Sequence, residues 1–195
     1  MEDQQSIYVV FRGSTSTRDW INNIDTILTP YPNCSNCEVH AGFYRAEQSV
    51  QQAMVAEVQA LRLQNPNFKV IVTGHSLGGA LSTLAALTLS SSLNTSITLI
   101  NFGSPRVGNL EFAEFASSTI QNRFRLTHYR DVVPHLPWTE RFVHISGEWY
   151  EDQYGKLHSC EGYEDEDCAD QWHYLTIEDH LYYLGLNITN CAAVT

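Results

Sequence analysis

Apolar residues in this chain fall into two periods that take turns along it. Ser6-Ile7-Tyr8-Val9-Val10-Phe11 is a short apolar run that predicts a buried strand almost at the start. From about Phe43 to Leu63 the spacing changes, with Val50, Met54, Val58 and Leu61 on one face of a helix that Asn65-Pro66-Asn67 ends. Phe68 to Thr73 is β-branched or aromatic apart from Lys69 and predicts a second strand. Leu77, Ala80, Leu81, Leu84 and Ala85 then recur at helical spacing. A strand over Ile97–Phe102, a turn at Gly103-Ser104-Pro105-Arg106 and a strand over Phe124–Tyr129 continue the alternation. Later, Phe142–Ile145 and Glu148–Tyr150 read as a hairpin around Gly147, residues 151–171 as an acidic loop, and Gly185 and Asn187 as the close of a last helical turn.

Alternating strand and helix predicts an α/β fold, a mainly parallel sheet with helices on both faces. Neither repeat nor low-complexity linker divides the chain, so residues 1–195 are expected to form a single domain.

One junction in this pattern is unusual. Between the second strand and its helix stands Gly74-His75-Ser76-Leu77-Gly78-Gly79, a G-x-S-x-G arrangement. The pattern alone is weak, arising by chance at roughly 3 in 10,000 positions. Its context is stronger. A strand-to-helix turn this tight strains the serine backbone and lifts the hydroxyl above the carboxyl edge of the sheet. The Leu77 N–H points into the same space from a helix N-terminus, where an oxyanion is favoured. The competing reading is a glycine-rich turn with a capping serine.

An activated serine needs a base, and the base an orienting acid, here in the order serine, acid, histidine. Of eight histidines, His40 and His75 precede Ser76. His128 reads as a packed strand residue, His135 as part of a rigid turn beside Pro134, and His144 as part of a late strand. His158 and His173 fall in or beside the acidic loop, and chain order alone leaves them open. His180, in Glu178-Asp179-His180-Leu181, is the favoured base. Asp131, directly after the strand ending at Tyr129, stands where a side chain reaches the same sheet edge as Ser76. Asp179 adjoins His180 in sequence and would have to fold back to reach it. The stretch Glu161 to Asp170 reads as a solvated loop, and its spacing is not that of a calcium loop.

Charge and cysteines narrow the setting. A formal charge of −11 argues against a nucleic-acid partner, and no apolar run is long enough to span a membrane. The five cysteines suggest short disulfide loops Cys34–Cys37 and Cys160–Cys168, leaving Cys191 over. Asn33, Asn94 and Asn187 open glycan-acceptor triplets. Met1-Glu2-Asp3-Gln4-Gln5 does not read as a signal peptide, and together with the unpaired Cys191 and the abrupt opening strand it suggests a missing N-terminal portion.

The stretches "IYVVFRGSTSTRDWINNI", "CEVHAGF", "VTGHSLGGAL", "FGSPRVGN", "YRDVVPHLP" and "EDHLYYLG" resemble the class 3 lipases, the fungal-type triacylglycerol lipases, in the family's order along nearly the whole chain. The resemblance implies an α/β-hydrolase fold with Ser76 as nucleophile, Asp131 as orienting acid and His180 as base. It implies Ser14, in Arg12-Gly13-Ser14, as an oxyanion donor beside the Leu77 N–H, and a substrate that is a lipid or other ester at a lipid–water interface. It also implies that Cys191 pairs with a cysteine preceding Met1. A secreted protein without cofactor or metal is expected. The related feruloyl esterases share fold and triad, and the Cys34–Cys37 loop before Val39-His40 is similar to theirs. Trp20, Ile21 and Ile24 on one helical face suit a lid that opens at lipid, whereas a polar lid suits soluble aromatic esters. A non-enzymatic interaction module is the third reading.

Overall fold

The computed structural model describes residues 5–14 and 16–188. Strands β1 (Ser6–Phe11), β4 (Lys69–His75), β5 (Ile97–Phe102) and β6 (Asn122–His128) lie side by side in that order, parallel throughout. Strand β7 (Glu148–Glu151) adds a further parallel neighbour, and β8 (Leu157–Ser159) closes the edge antiparallel to it. Two short strands, β2 (Leu28–Pro30) and β3 (Glu38–His40), pair separately across the first cysteine loop.

The crossovers are α2 (Ala41–Gln64), α3 (Leu77–Leu93) and α4 (Leu110–Thr119), with the short α1 (Thr17–Asn23) between β1 and β2. Each crossover moves one strand further in the same direction, so right-handed connections set α2, α3 and α4 on one face. On that side Val70, Val72, Ile97 and Leu99 meet Leu84, Leu87 and Phe112 in the main core. The second face is apolar but half-open: Tyr8 is 49% exposed, Val10 68% and Phe124 41%. For the same reason β1 is not the fully buried strand its composition suggests.

Helix α3 can lie deep because its sequence lets it. Leu84, Ala85, Ala86 and Leu89 are buried, and Ser82 and Thr83 turn their hydroxyls back to the Gly79 carbonyl at 2.7 and 3.1 Å. Helix α4, unannounced by the pattern, begins at Asn109, whose side chain accepts from the Phe112 N–H at 3.1 Å.

Two late expectations are corrected. Phe142–Ile145 forms no strand; the hairpin is β7–β8, turning at Gly155. Nor do Gly185 and Asn187 close a helical turn. One 3₁₀ turn (Asp179–Leu181) leads into a hairpin of β9 (Tyr182–Tyr183) and β10 (Leu186–Asn187), with Leu184 and Gly185 both at positive φ.

Candidate active site

Strand β4 runs straight into α3 with a single residue between them. That residue is Ser76, at φ 60° and ψ −129°. A non-glycine residue held there is strained, and its side chain makes no capping hydrogen bond. The capping-serine reading therefore fails. The turn is this tight because glycines permit close backbone approach on either side of it. A Cβ on Gly78 would stand 2.2 Å from the Phe11 carbonyl oxygen, and one on Gly74 2.2 Å from the Gly78 carbonyl oxygen. Leu77 opens α3, so its N–H is one of the helix-start donors that no carbonyl within the helix can take.

Beyond β1 the chain passes the serine closely, since a Cβ on Gly13 would lie 3.4 Å from the Ser76 Cβ. Ser14, the next residue, is half-buried, and its Oγ accepts from the Ser16 N–H at 3.3 Å.

Asp131 stands between β6 and the 3₁₀ turn Val133–His135, and His180 lies on the 3₁₀ turn before β9. Both are buried, and His180 Nδ1 stands 2.7 Å from Asp131 Oδ2. The other Asp131 oxygen, Oδ1, accepts from the Val133 N–H at 2.8 Å. Sequence reading missed a third partner: the Tyr183 hydroxyl donates to Oδ2 at 2.5 Å. Burial, then the Asp131 charge, push that phenol well above its ordinary pKa, so it stays a donor. A buried tyrosine needs a partner for its hydroxyl, and that was the available signal.

Asp179 is a decoy. Its carboxylate accepts from the Thr176 hydroxyl at 2.7 Å, while its backbone carbonyl takes a bond from His128 Nδ1 at 2.8 Å. His128 thus braces the loop that bears His180. His75 does likewise, with Nε2 3.0 Å from the His180 carbonyl oxygen and its ring packed 4.2 Å from the His180 ring. Burial, and next the His180 ring, lower the His75 pKa to about 4, so it stays neutral near neutral pH. The remaining histidines stand apart from this pair. His135 and His144 are buried in another network, His158 pairs with Asp152 at 2.9 Å, and His173 is exposed.

Among the buried polar atoms with no hydrogen-bond partner in the described residues are Ser76 Oγ and His180 Nε2. Ser76 is only 1% exposed. Of the expected lid residues, Trp20 stacks on Phe43 with ring centroids 6.2 Å apart, and Ile24 also joins the rim of the main core. Ile21 is half-buried. Both expected disulfides, Cys34–Cys37 and Cys160–Cys168, are present, and Cys191 lies outside the described residues.

Parallel sheet, strained serine turn and an aspartate-held histidine together define an α/β-hydrolase fold carrying a serine–histidine–aspartate constellation. A model of the Lipase (class 3) family matches residues 8–141, and the chain belongs to that family. It is 38% identical over 199 residues to a lipase of Rhizomucor miehei, covering 97% of this chain and 55% of the relative. It is 36% identical over 146 residues to secreted mono- and diacylglycerol lipase A of Penicillium cyclopium, covering 74% and 48%. The chain therefore spans about half the length of these relatives. Among solved structures it superposes on a lipase from Rhizopus microsporus var. chinensis with TM-score 0.89 at 34% identity, over 95% of this chain and 68% of that one. Another, described as a triacylglycerol lipase with a serine protease triad at its catalytic centre, gives TM-score 0.88 at 38% identity, over 94% and 73%. No helix among the described residues is long and apolar enough to cross a membrane.

Proposed function

We propose that this chain is a carboxylic-ester hydrolase, acting on acylglycerols at a lipid–water interface through an acyl-enzyme on Ser76. The observation that carries the reading is a strained, uncapped serine at a strand–helix turn together with a buried histidine held by Asp131, each with a buried polar atom that no other group takes up.

In this reading His180 Nε2 takes the Ser76 hydroxyl proton as Oγ adds to the ester carbonyl. Asp131, already bound to Nδ1, stabilises the imidazolium that forms. The carbonyl electrons move to oxygen, and the Leu77 N–H and Ser14 receive that oxyanion. Collapse expels the alcohol, which leaves with the proton from His180, and Ser76 keeps the acyl group. Water then enters by the same route with the proton flow repeated, releasing the acid and restoring the serine.

A lipid substrate is favoured over a soluble aromatic ester by Trp20, whose half-buried indole rests on Phe43 and would be freed towards lipid by movement of α1. The two disulfides, and relatives named as secreted, support an extracellular place for a chain acting as one domain.

Hydrolysis of an emulsified long-chain triacylglycerol, a soluble short-chain ester and methyl ferulate, run side by side with Ser76→Ala as control, tests the reading. The emulsion should be turned over fastest, and Ser76→Ala should lose about 10⁴-fold or more on every substrate. Preference for the ferulate would move the chain to the feruloyl esterases. Absence of turnover on all three would leave the interaction-module reading.

A further inference from the structure

The acidic stretch 161–170 does more than sit in water. The Cys160–Cys168 disulfide closes it into a loop, and Asp165 organises the inside by accepting from the Glu161 and Asp167 N–H groups at 2.7 and 3.0 Å. Glu164 turns inward from that loop. Its two oxygens take the Arg106 guanidinium in a forked pair, Oε1 to Nε at 2.9 Å and Oε2 to Nη2 at 3.0 Å. Oε1 also accepts from the His144 N–H at 2.9 Å.

Arg106 and His144 have one further thing in common. Between them they hold three consecutive carbonyls on the turn that follows Asp131. His144 Nε2 lies 2.7 Å from the Pro134 oxygen, Arg106 Nη1 donates to the His135 oxygen at 2.6 Å, and the Arg106 N–H donates to the Leu136 oxygen at 2.8 Å. The same turn supplies the Val133 N–H that fixes Asp131 Oδ1.

We propose that Glu164 is a positioning residue for Asp131, acting through Arg106 and His144 on the turn 133–136. The proposal rests on the hydrolase reading above for its effect on turnover, but its geometric content stands apart from it. Glu164 touches neither the triad nor the space above Ser76, so it is not a catalytic residue. Its carboxylate fixes the direction of one guanidinium and one backbone segment, and these fix the turn. Asp170 is a poorer substitute at 3.5 Å from both Arg106 Nη2 and His135 Nδ1, so losing Glu164 loosens the turn without freeing it.

The test uses the full chain with Glu164→Ala and Glu164→Gln, since the glutamine keeps an acceptor for Arg106 and the His144 N–H. Two measurements are made: burst titration with a soluble p-nitrophenyl ester, and the low-field proton resonance of the His180 Nδ1–H, assigned by its loss in His180→Ala. Glu164→Ala should keep the burst amplitude and KM of the parent, lower kcat per titrated site about 10-fold, and shift or broaden the resonance. Glu164→Gln should recover most of both. A fall in burst amplitude at unchanged kcat per site would mean a fraction of misfolded chains and would overturn the proposal. An unmoved resonance in Glu164→Ala would overturn it as well. If the parent chain turns over no ester but the alanine variant moves the resonance, the hydrolase reading fails while the positioning of Asp131 by Glu164 stands.

Discussion

Tyr183 and His180 share one oxygen: both donate to Asp131 Oδ2, the phenol at 2.5 Å and the imidazole at 2.7 Å. The acid of the proposed triad is thus held from two sides by residues three apart on one short segment. Tyr183→Phe removes one charge-assisted hydrogen bond from a buried carboxylate, a loss of about 1.5–3 kcal/mol. The urea midpoint should fall accordingly, and turnover about 10-fold, as Asp131 gains freedom to leave His180. Parent-like stability together with parent-like turnover would show that the phenol plays no part in holding the acid.

Asp131 and Asp179 compete for one role, and their contacts separate them. Asp131→Asn should cost about 10³- to 10⁴-fold in turnover, since an amide cannot hold the His180 ring in the same tautomer with the same charge. Asp179→Asn should cost far less, because that carboxylate bonds to the Thr176 hydroxyl and only its backbone carbonyl serves the loop. Initial rates on a soluble ester decide it; the reverse order would mean the acid is misassigned.

Trp20 gives a third expectation. Turning the indole from Phe43 into water costs about 1.5–3 kcal/mol if it becomes fully exposed, whereas a lipid surface accepts it. The rate on a partly soluble ester should rise steeply above the solubility limit, and Trp20→Ser should flatten that rise while sparing a short soluble ester. A smooth curve through the limit in the parent chain would argue that α1 is not a lid.

Glu47 predicts a pH effect on stability. It is buried between α2 and α3, where its Oε1 accepts from the Thr88 hydroxyl at 2.9 Å, and burial raises its pKa. A folded pKa above the unfolded value means the contribution is fully present below about pH 4.3 and is lost as pH rises through the folded pKa. Glu47→Gln removes that dependence. Urea unfolding at pH 5 and pH 8 should show the variant gaining on the parent at the higher pH; an equal difference at both values would contradict this.

Much of the fold was legible because burial and periodicity agree. Strand β5 was read to the residue from Ile97 to Phe102, an apolar run lying between two parallel neighbours. Strand β7 was read one residue short, as Glu148–Tyr150, but was paired with Phe142–Ile145 instead of β6 and β8, because its two glutamates give no sign of where they lie. In the fold these are paired: Glu148 meets Arg125 at 2.8 Å, and Glu151 accepts from the Leu184 N–H at 2.8 Å. Pairing over such a distance along the chain leaves no local mark. The β9–β10 hairpin was hidden differently, because its turn puts Leu184 at φ 53°, where Asn or Gly is the usual signal. Ser76 and Asp131 of the proposed triad could be picked out from their places at the sheet edge, whereas chain order left His158 and His173 open beside His180. Tyr183, His75 and Glu164 could not, since their importance lies in what they touch.

The closeness of Gly78 to the Phe11 carbonyl carries a consequence for how this site can change. The end of β1, which leads to Ser14, and the start of α3, which offers the Leu77 N–H, are separated by a gap with no room for a methyl group. Any side chain at Gly78 would drive those two segments apart and move both proposed oxyanion donors at once. The gap therefore works as a fixed gauge. Substrate range can drift through α1 and the surrounding loops, while the spacing at the reacting carbonyl is inherited whole or lost.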